Sequence, residues 1–318
     1  MSLYFVRSTF LLMLCLFSVS VFSSPKEESK NICDDNSITT KLNGVEVNLA
    51  IDATLKSYVI LNPEPAKKAG LKKSFFSSVK KYVRDKTIKG SVDEAKIEIR
   101  GKERKVRVVW FERNYVHDSR YDGVIGLNEI GTNSVKLNFC SQNLNSDDES
   151  YVTKTIPFKY ENKRVLVESV LPDRLDVMFD LNHRHINIGS DAYSYMLSEG
   201  MLKKSNQYAY QELEFGYYLP SRKISLITSI LNGVVVDSEN VFTPISEHQM
   251  VDDQSGSIDG EYIDAIEEVV TYGYKPKKDA EFKSFIKLGS SALPNCRSLT
   301  FDLKNKLINL SCLESKNE

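Results

Sequence analysis

The chain has one tryptophan, four histidines and no Cys-X-X-Cys pair among its 318 residues. That scarcity argues against a structural zinc site, whose metal needs Cys and His clustered at short spacing. Neither charge is in excess: Lys and Arg number 42 against 43 Asp and Glu, for a net charge of −1. No global field then draws the protein to a polyanion, so nucleic acid is not an expected partner. Sustained helical periodicity alternating with strands is also missing, which disfavours a parallel sheet wrapped by helices. No metal and no cofactor is called for by any of these patterns.

What is present suits strands. Sixteen Tyr and fifteen Phe accompany a 41% hydrophobic and 27% charged composition, enough apolar mass for real cores. The length is large for one compact core and comfortable for two lobes of about 150 residues each.

The first residues read as an address. Arg7 supplies a positive start, Phe10 to Phe22 form an apolar run broken by Ser18 and Ser20, and Val21-Phe22-Ser23 offers a cleavage site. The run is short for a bilayer span, and Pro25-Lys26-Glu27-Glu28 follows at once. Residues 1–23 are therefore expected to be a signal peptide, giving a secreted or periplasmic protein with no membrane partner after its removal. Strand patterning begins within about twenty residues of that site, so no propeptide is expected.

Export changes how the cysteines read. Without Cys15, four remain: Cys33, Cys140, Cys296 and Cys312. An oxidising compartment would pair them, and four cysteines allow three connectivities. The favoured one is Cys33–Cys140 with Cys296–Cys312, because each pair then brackets one half of the chain.

Alternation of period two marks the strands. Val45, Val47, Leu49 and Ile51 alternate with Glu46, Asn48 and Ala50 after an Asn43-Gly44 turn, ending at Asp52. Tyr58 to Leu61 is a second run, and residues 96–100 and 106–111 form a hairpin around Gly101. Val135, Leu137 and Phe139 form another strand. The polar, acidic stretch from Ser141 to Ser150 reads as a linker, dividing an N-terminal lobe (24–145) from a C-terminal lobe (146–318). In the second half, strands are expected at 164–170, 175–180, 224–236 (turning at Asn232-Gly233) and 299–310. Ile263 to Val270 has helical spacing and is the best helix candidate. The Lys-rich stretch from Lys67 to Lys89 reads as a solvated face, and Asn309-Leu310-Ser311 fits a glycosylation sequon.

The two halves echo each other. Each has an apolar strand ending in Asp, Asn48 to Asp52 and Asp176 to Asp180, and each later has a largely apolar segment carrying a Gly, Asp122-Gly123-Val124-Ile125-Gly126-Leu127 and Phe285-Ile286-Lys287-Leu288-Gly289-Ser290. With Asp122-Gly123-Val124-Ile125-Gly126-Leu127 and the ending Leu288-Gly289-Ser290-Ser291-Ala292-Leu293, the chain resembles the pepsin-like aspartic proteases. Gly90 to Ile97 resembles the strand after that family's flap, and Ile230-Leu231-Asn232-Gly233-Val234 resembles its late hairpin. The resemblance implies an all-β, bilobal fold with a cleft between two β-rich lobes and a few short helices. It places Asp52 and Asp180 at the two catalytic carboxylate positions and Tyr82 near the flap tyrosine.

The motifs themselves depart from the family. Ala53-Thr54 and Leu181-Asn182 stand where it has Thr/Ser-Gly, so the hydroxyls that brace the two loops are missing after both aspartates. A pair of carboxylates that shares one proton and one water depends on such bracing. The expectation is an impaired or inactive homologue, monomeric, that binds a polypeptide in its cleft. Two alternatives stand beside it: an active divergent endopeptidase using Asp52 and Asp180, and a structural envelope or surface protein. His183 and His185, just after Asp180, put two imidazoles on one strand face, where a solvated loop is the plainer reading than a metal site.

Overall fold

The computed structural model describes residues 36–73, 78–83, 86–139, 150–212, 214–245 and 284–314. The leader, Cys33, Cys140, the linker at 141–149 and the helix expected at 263–270 lie outside the described residues. The chain is all-β. Its strands are β1 (Ser37–Leu42), β2 (Val45–Asp52), β3 (Val59–Leu61), β4 (Ser78–Val83), β5 (Lys86–Ile99), β6 (Lys102–Phe111), β7 (Gly123–Gly126), β8 (Ser134–Asn138), β9 (Tyr151–Glu161), β10 (Arg164–Val167), β11 (Leu175–Phe179), β12 (Ile186–Ile188), β13 (Leu202–Glu212), β14 (Tyr218–Leu226), β15 (Val241–Pro244), β16 (Ser284–Leu288), β17 (Cys296–Asp302) and β18 (Leu307–Leu313). Two short helices, α1 (Pro63–Lys68) and α2 (Ser190–Ser198), interrupt them.

The strands form two sheets. One has the order β1-β2-β7-β3-β6-β5-β4, with β1 also pairing to β5; the other runs β13-β14-β15-β12-β16-β11-β10-β9-β18-β17-β8. Read from β10, the second sheet contains β10-β11-β16-β12-β15-β14-β13, the same seven-strand order as the first. The directions agree as well. β2 runs parallel to β7 as β11 does to β16, and β3 parallel to β6 as β12 does to β15. The other pairings in both repeats are antiparallel. Even the helices correspond, α1 following β3 and α2 following β12. An internal duplication accounts for this match.

The four remaining strands, β9, β18, β17 and β8, form an antiparallel floor continuous with the second repeat. β8 comes from the first half of the chain, so the second sheet takes in a strand that precedes residue 140. Asn36 adds to that tie. Its amide donates to the Asn138 carbonyl at 2.8 Å and its Oδ1 accepts the Asn138 N–H at 2.7 Å. Cys296 and Cys312 lie opposite each other on β17 and β18 and form a disulfide. A closed loop of that length constrains the unfolded chain by about 3 kcal/mol in the entropic account.

Period-two burial supplies the core. On β18, Ile308, Leu310 and Cys312 are buried while their neighbours are partly exposed, as the alternation predicts. Residues 224–236 differ from the expected strand. β14 ends at Leu226 and pairs with β13, a strand without sequence alternation, and the turn at Gly233 lies outside any strand. The Lys-rich stretch also has an exception: Lys81 is buried, its ammonium 5.0 Å from the Tyr115 ring centre.

Candidate functional site

Both aspartates sit at the same point of the repeat. Asp52 ends β2 opposite Gly126 in the parallel pair β2–β7. Asp180 follows β11, which pairs Phe179 with Leu288, and the Asp180 N–H donates to the Leu288 carbonyl at 2.9 Å. The loop after each aspartate is then crossed by the apolar-Gly segment. In the first repeat, Leu127 and Asn128 N–H groups donate to the carbonyls of Leu55 and Lys56; in the second, Ser290 and Ser291 donate to those of His183 and Arg184.

This crossing explains the repeated glycine. A Cβ at Gly126 would lie 3.0 Å from the Ser57 nitrogen, and one at Gly289 only 2.3 Å from the His185 carbonyl oxygen. At Gly289 only a residue without a side chain lets the strand pass so close to the loop above it, and at Gly126 a Cβ would press on the loop. The sequence signal and the packing constraint are the same fact.

Asp52 and Asp180 are both buried, 5% and 4% exposed. They are near enough for the charge of Asp180 to raise the proton affinity of Asp52. Their partners differ. Oδ1 of Asp52 accepts two hydrogen bonds from Thr54, one from its backbone N–H at 2.9 Å and one from its hydroxyl at 2.6 Å. These favour the carboxylate, but burial and Asp180 outweigh them, and the Asp52 carboxyl is pushed up to about 6.

Asp180 is held by two basic side chains instead. His183 Nδ1 lies 3.0 Å from its Oδ1 and Lys287 Nζ lies 3.2 Å from its Oδ2. Burial alone would raise its carboxyl, yet His183 and Lys287 together hold it well below the usual carboxylate range. The lysine arises from the repeat: Met178 pairs with Lys287 on β11–β16, as Ala50 pairs with Val124 on β2–β7. A valine in the first repeat is thus a lysine in the second.

The other candidate residues divide between the site and its surroundings. Thr54, which stands where the family has glycine, donates to Asp52, a role its place in the motif does not signal. Its carbonyl also accepts the Val165 N–H at 3.0 Å, tying the Asp52 loop to the start of the second repeat by backbone alone. Ala53 and Leu181 are buried apolar residues. Asn182, the counterpart of Thr54, leaves its Oδ1 buried without a hydrogen-bond partner among the described residues. His183 belongs to the site, whereas the His185 ring faces Phe242 at 5.0 Å. Tyr82 lies on β4 opposite Thr87, in the hairpin at the edge of the first sheet; its side chain is outside the described residues. Lys287 was missed outright. Its one signal is a cation inside the otherwise apolar run Phe285-Ile286-Lys287-Leu288.

No known family profile and no curated protein matches the chain. Among solved structures it is similar to the EIAV protease complexed with the inhibitor HBY-793, at 11% identity and a TM-score of 0.25, over 30% of this chain and 88% of that one.

Proposed function

We propose that the protein is an exported, bilobal relative of the pepsin-like aspartic proteases that holds an extended polypeptide in the cleft between its repeats without cutting it. One observation carries the reading: both oxygens of Asp180 are already engaged by the chain's own basic side chains, Lys287 and His183. A working pair needs one carboxylate to take a proton from water, and the ease of that transfer follows the basicity of the acceptor. A carboxylate with a strongly lowered proton affinity is a poor base, and its contacts to Lys287 and His183 take an acceptor site on each oxygen.

Asp52 is suited to another task. Below about pH 6 it is neutral, and a buried neutral carboxyl can donate a hydrogen bond to a main-chain carbonyl of a bound strand. Main-chain pairing of this kind suits an extended peptide laid against sheet edges. The Cys296–Cys312 disulfide fits an oxidising compartment, and no helix among the described residues is long and apolar enough to cross a membrane.

The test uses a reduced and alkylated, fully unfolded polypeptide incubated with the protein from pH 3 to 7. The expected result is retention of the intact polypeptide on the protein with no new termini by mass spectrometry. Turnover that disappears in both Asp52→Asn and Asp180→Asn would reverse the reading in favour of an active endopeptidase.

A further inference from the structure

The first repeat carries two apolar clusters, one on each face of its sheet. Leu49 and Ile51 belong to the main core, while Ala50 points the other way. Asp52, two residues on from Ala50, shares that second face. The cluster around Ala50 is therefore an apolar wall on the same face as Asp52; it starts one pleat away, at the Ala50–Val124 pair, and includes Val79, Phe111 and Tyr115, with Phe111 level with Asn48.

One member of this wall does not come from the first repeat. Phe215 sits between β13 and β14, at the tip of the hairpin that matches β4–β5 in the duplication. It is 3% exposed, and its ring meets Phe111 edge-on at 5.0 Å and Tyr115 edge-on at 5.3 Å. Its N–H donates to the Tyr115 carbonyl at 3.3 Å. The neighbours follow it across: Gly216 lies against the His117 ring and Tyr217 under the Arg113 guanidinium.

The backbone there is strained. Phe215 adopts φ of 63°, a left-handed conformation that bulky residues avoid. Strain at a tip whose contacts across the repeats are side-chain packing and one long backbone hydrogen bond marks a contact that can be released.

We propose that Phe215 is a built-in plug: the second repeat's hairpin closes the apolar wall on the Asp52 face of the first sheet, and a bound chain enters by presenting an aromatic side chain that takes its place. The inference rests on the reading of the cleft as a polypeptide site. Its energetic form is a conformational tax, since the competent, unplugged state is a minor one and lowers apparent affinity by its population.

Two variants release the plug by different routes. Phe215→Ala removes the ring. Gly216→Ala leaves it but adds a Cβ that would lie 2.6 Å from the His117 ring, at a φ of +65° that disfavours any side chain. Each is compared with the parent by hydrogen exchange over residues 214–217, by binding of a fluorescein-labelled Gly-Ser decapeptide with one central Phe or one central Ala, and by 8-anilinonaphthalene-1-sulfonate. Exchange at the tip is expected to rise in both variants, and the Phe peptide to bind them on the order of tenfold more tightly, with no gain for the Ala peptide. Should Phe215→Ala fail to fold, Gly216→Ala decides. The plug is refuted if exchange does not rise, if a freed tip brings no tighter binding of either probe, or if both peptides gain equally. If the dye gains one site in the variants while no form binds either peptide, the plug stands and the polypeptide reading falls.

Discussion

Asp52 and Asp180 occupy one position in two copies of a seven-strand pattern, with the same parallel neighbour strand and the same glycine crossing beneath the following loop. Their proton affinities nevertheless move in opposite directions. The backbone sets where each carboxylate stands; three side chains set what it does. Thr54 supplies hydrogen bonds to Asp52 but no charge, and the counterpart of Lys287 there is Val124. Asp180 has both a lysine and a histidine. A duplicated frame thus yields one carboxyl poised near neutrality and one fixed as an ion.

The largest effect is expected where the repeats are made alike. Lys287→Val copies Val124 into the second repeat and leaves buried Asp180 with His183 alone. Removing one partner of a buried ion pair costs about 3–5 kcal/mol. Urea unfolding at pH 7 should register that loss, and the Asp180 carboxyl should move up toward the ordinary range in a carbon-detected NMR titration. An unchanged unfolding midpoint would mean that the lysine does not govern Asp180.

A smaller and opposite effect is expected in the first repeat. The Asp52 carboxyl is raised from its ordinary value of 3.8 to about 6 in the folded protein. Between those values the folded state binds the proton and the unfolded state does not. Stability from this group is therefore complete below about pH 4 and lost as pH rises through about 6. A rise of that size corresponds to at most about 3 kcal/mol. Asp52→Asn removes the penalty, so the variant should exceed the parent in stability at pH 7.5 and match it near pH 3.5. Parallel pH–stability curves for the two proteins would contradict the raised carboxyl.

Much of this frame is legible in the sequence, because β18 buries one face and so alternates, as the first halves of β2 and β6 do before both of their faces are covered, and because Gly126 and Gly289 mark close crossings of strand and loop. β13 was not legible. Its residues, Leu-Lys-Lys-Ser-Asn-Gln-Tyr-Ala-Tyr-Gln-Glu, lie at a sheet edge with a register shift between Lys204 and Tyr208, so no face is consistently buried. The charge state of the site was not legible either. That His183 and Lys287 converge on one carboxylate depends on β16 entering parallel to β11, a pairing between residues more than a hundred positions apart. Pattern within a segment cannot report it.

The smallest expected effect isolates Thr54 from its counterpart Asn182. The Thr54 hydroxyl donates to Asp52 Oδ1, whereas the Asn182 Oδ1 is buried with nothing to accept from among the described residues. Thr54→Ala keeps the backbone N–H bond and removes the hydroxyl, which stabilises the ionised form. The Asp52 carboxyl should therefore rise further above 6, and stability at pH 7.5 should fall by about 1–2 kcal/mol, within the range for a hydrogen bond to a charged group. Below about pH 4, where Asp52 is neutral in folded and unfolded chains alike, the loss should shrink. Thr54→Ser retains a hydroxyl at the same place and should restore both readings. Asn182→Ala, made at the same point of the second repeat, removes a buried acceptor that has no donor among the described residues and should cost less than Thr54→Ala at pH 7.5. If the two alanine variants are equally destabilising at both pH values, the hydroxyl does not tune Asp52, and the contrast between the repeats rests on Lys287 and His183 alone.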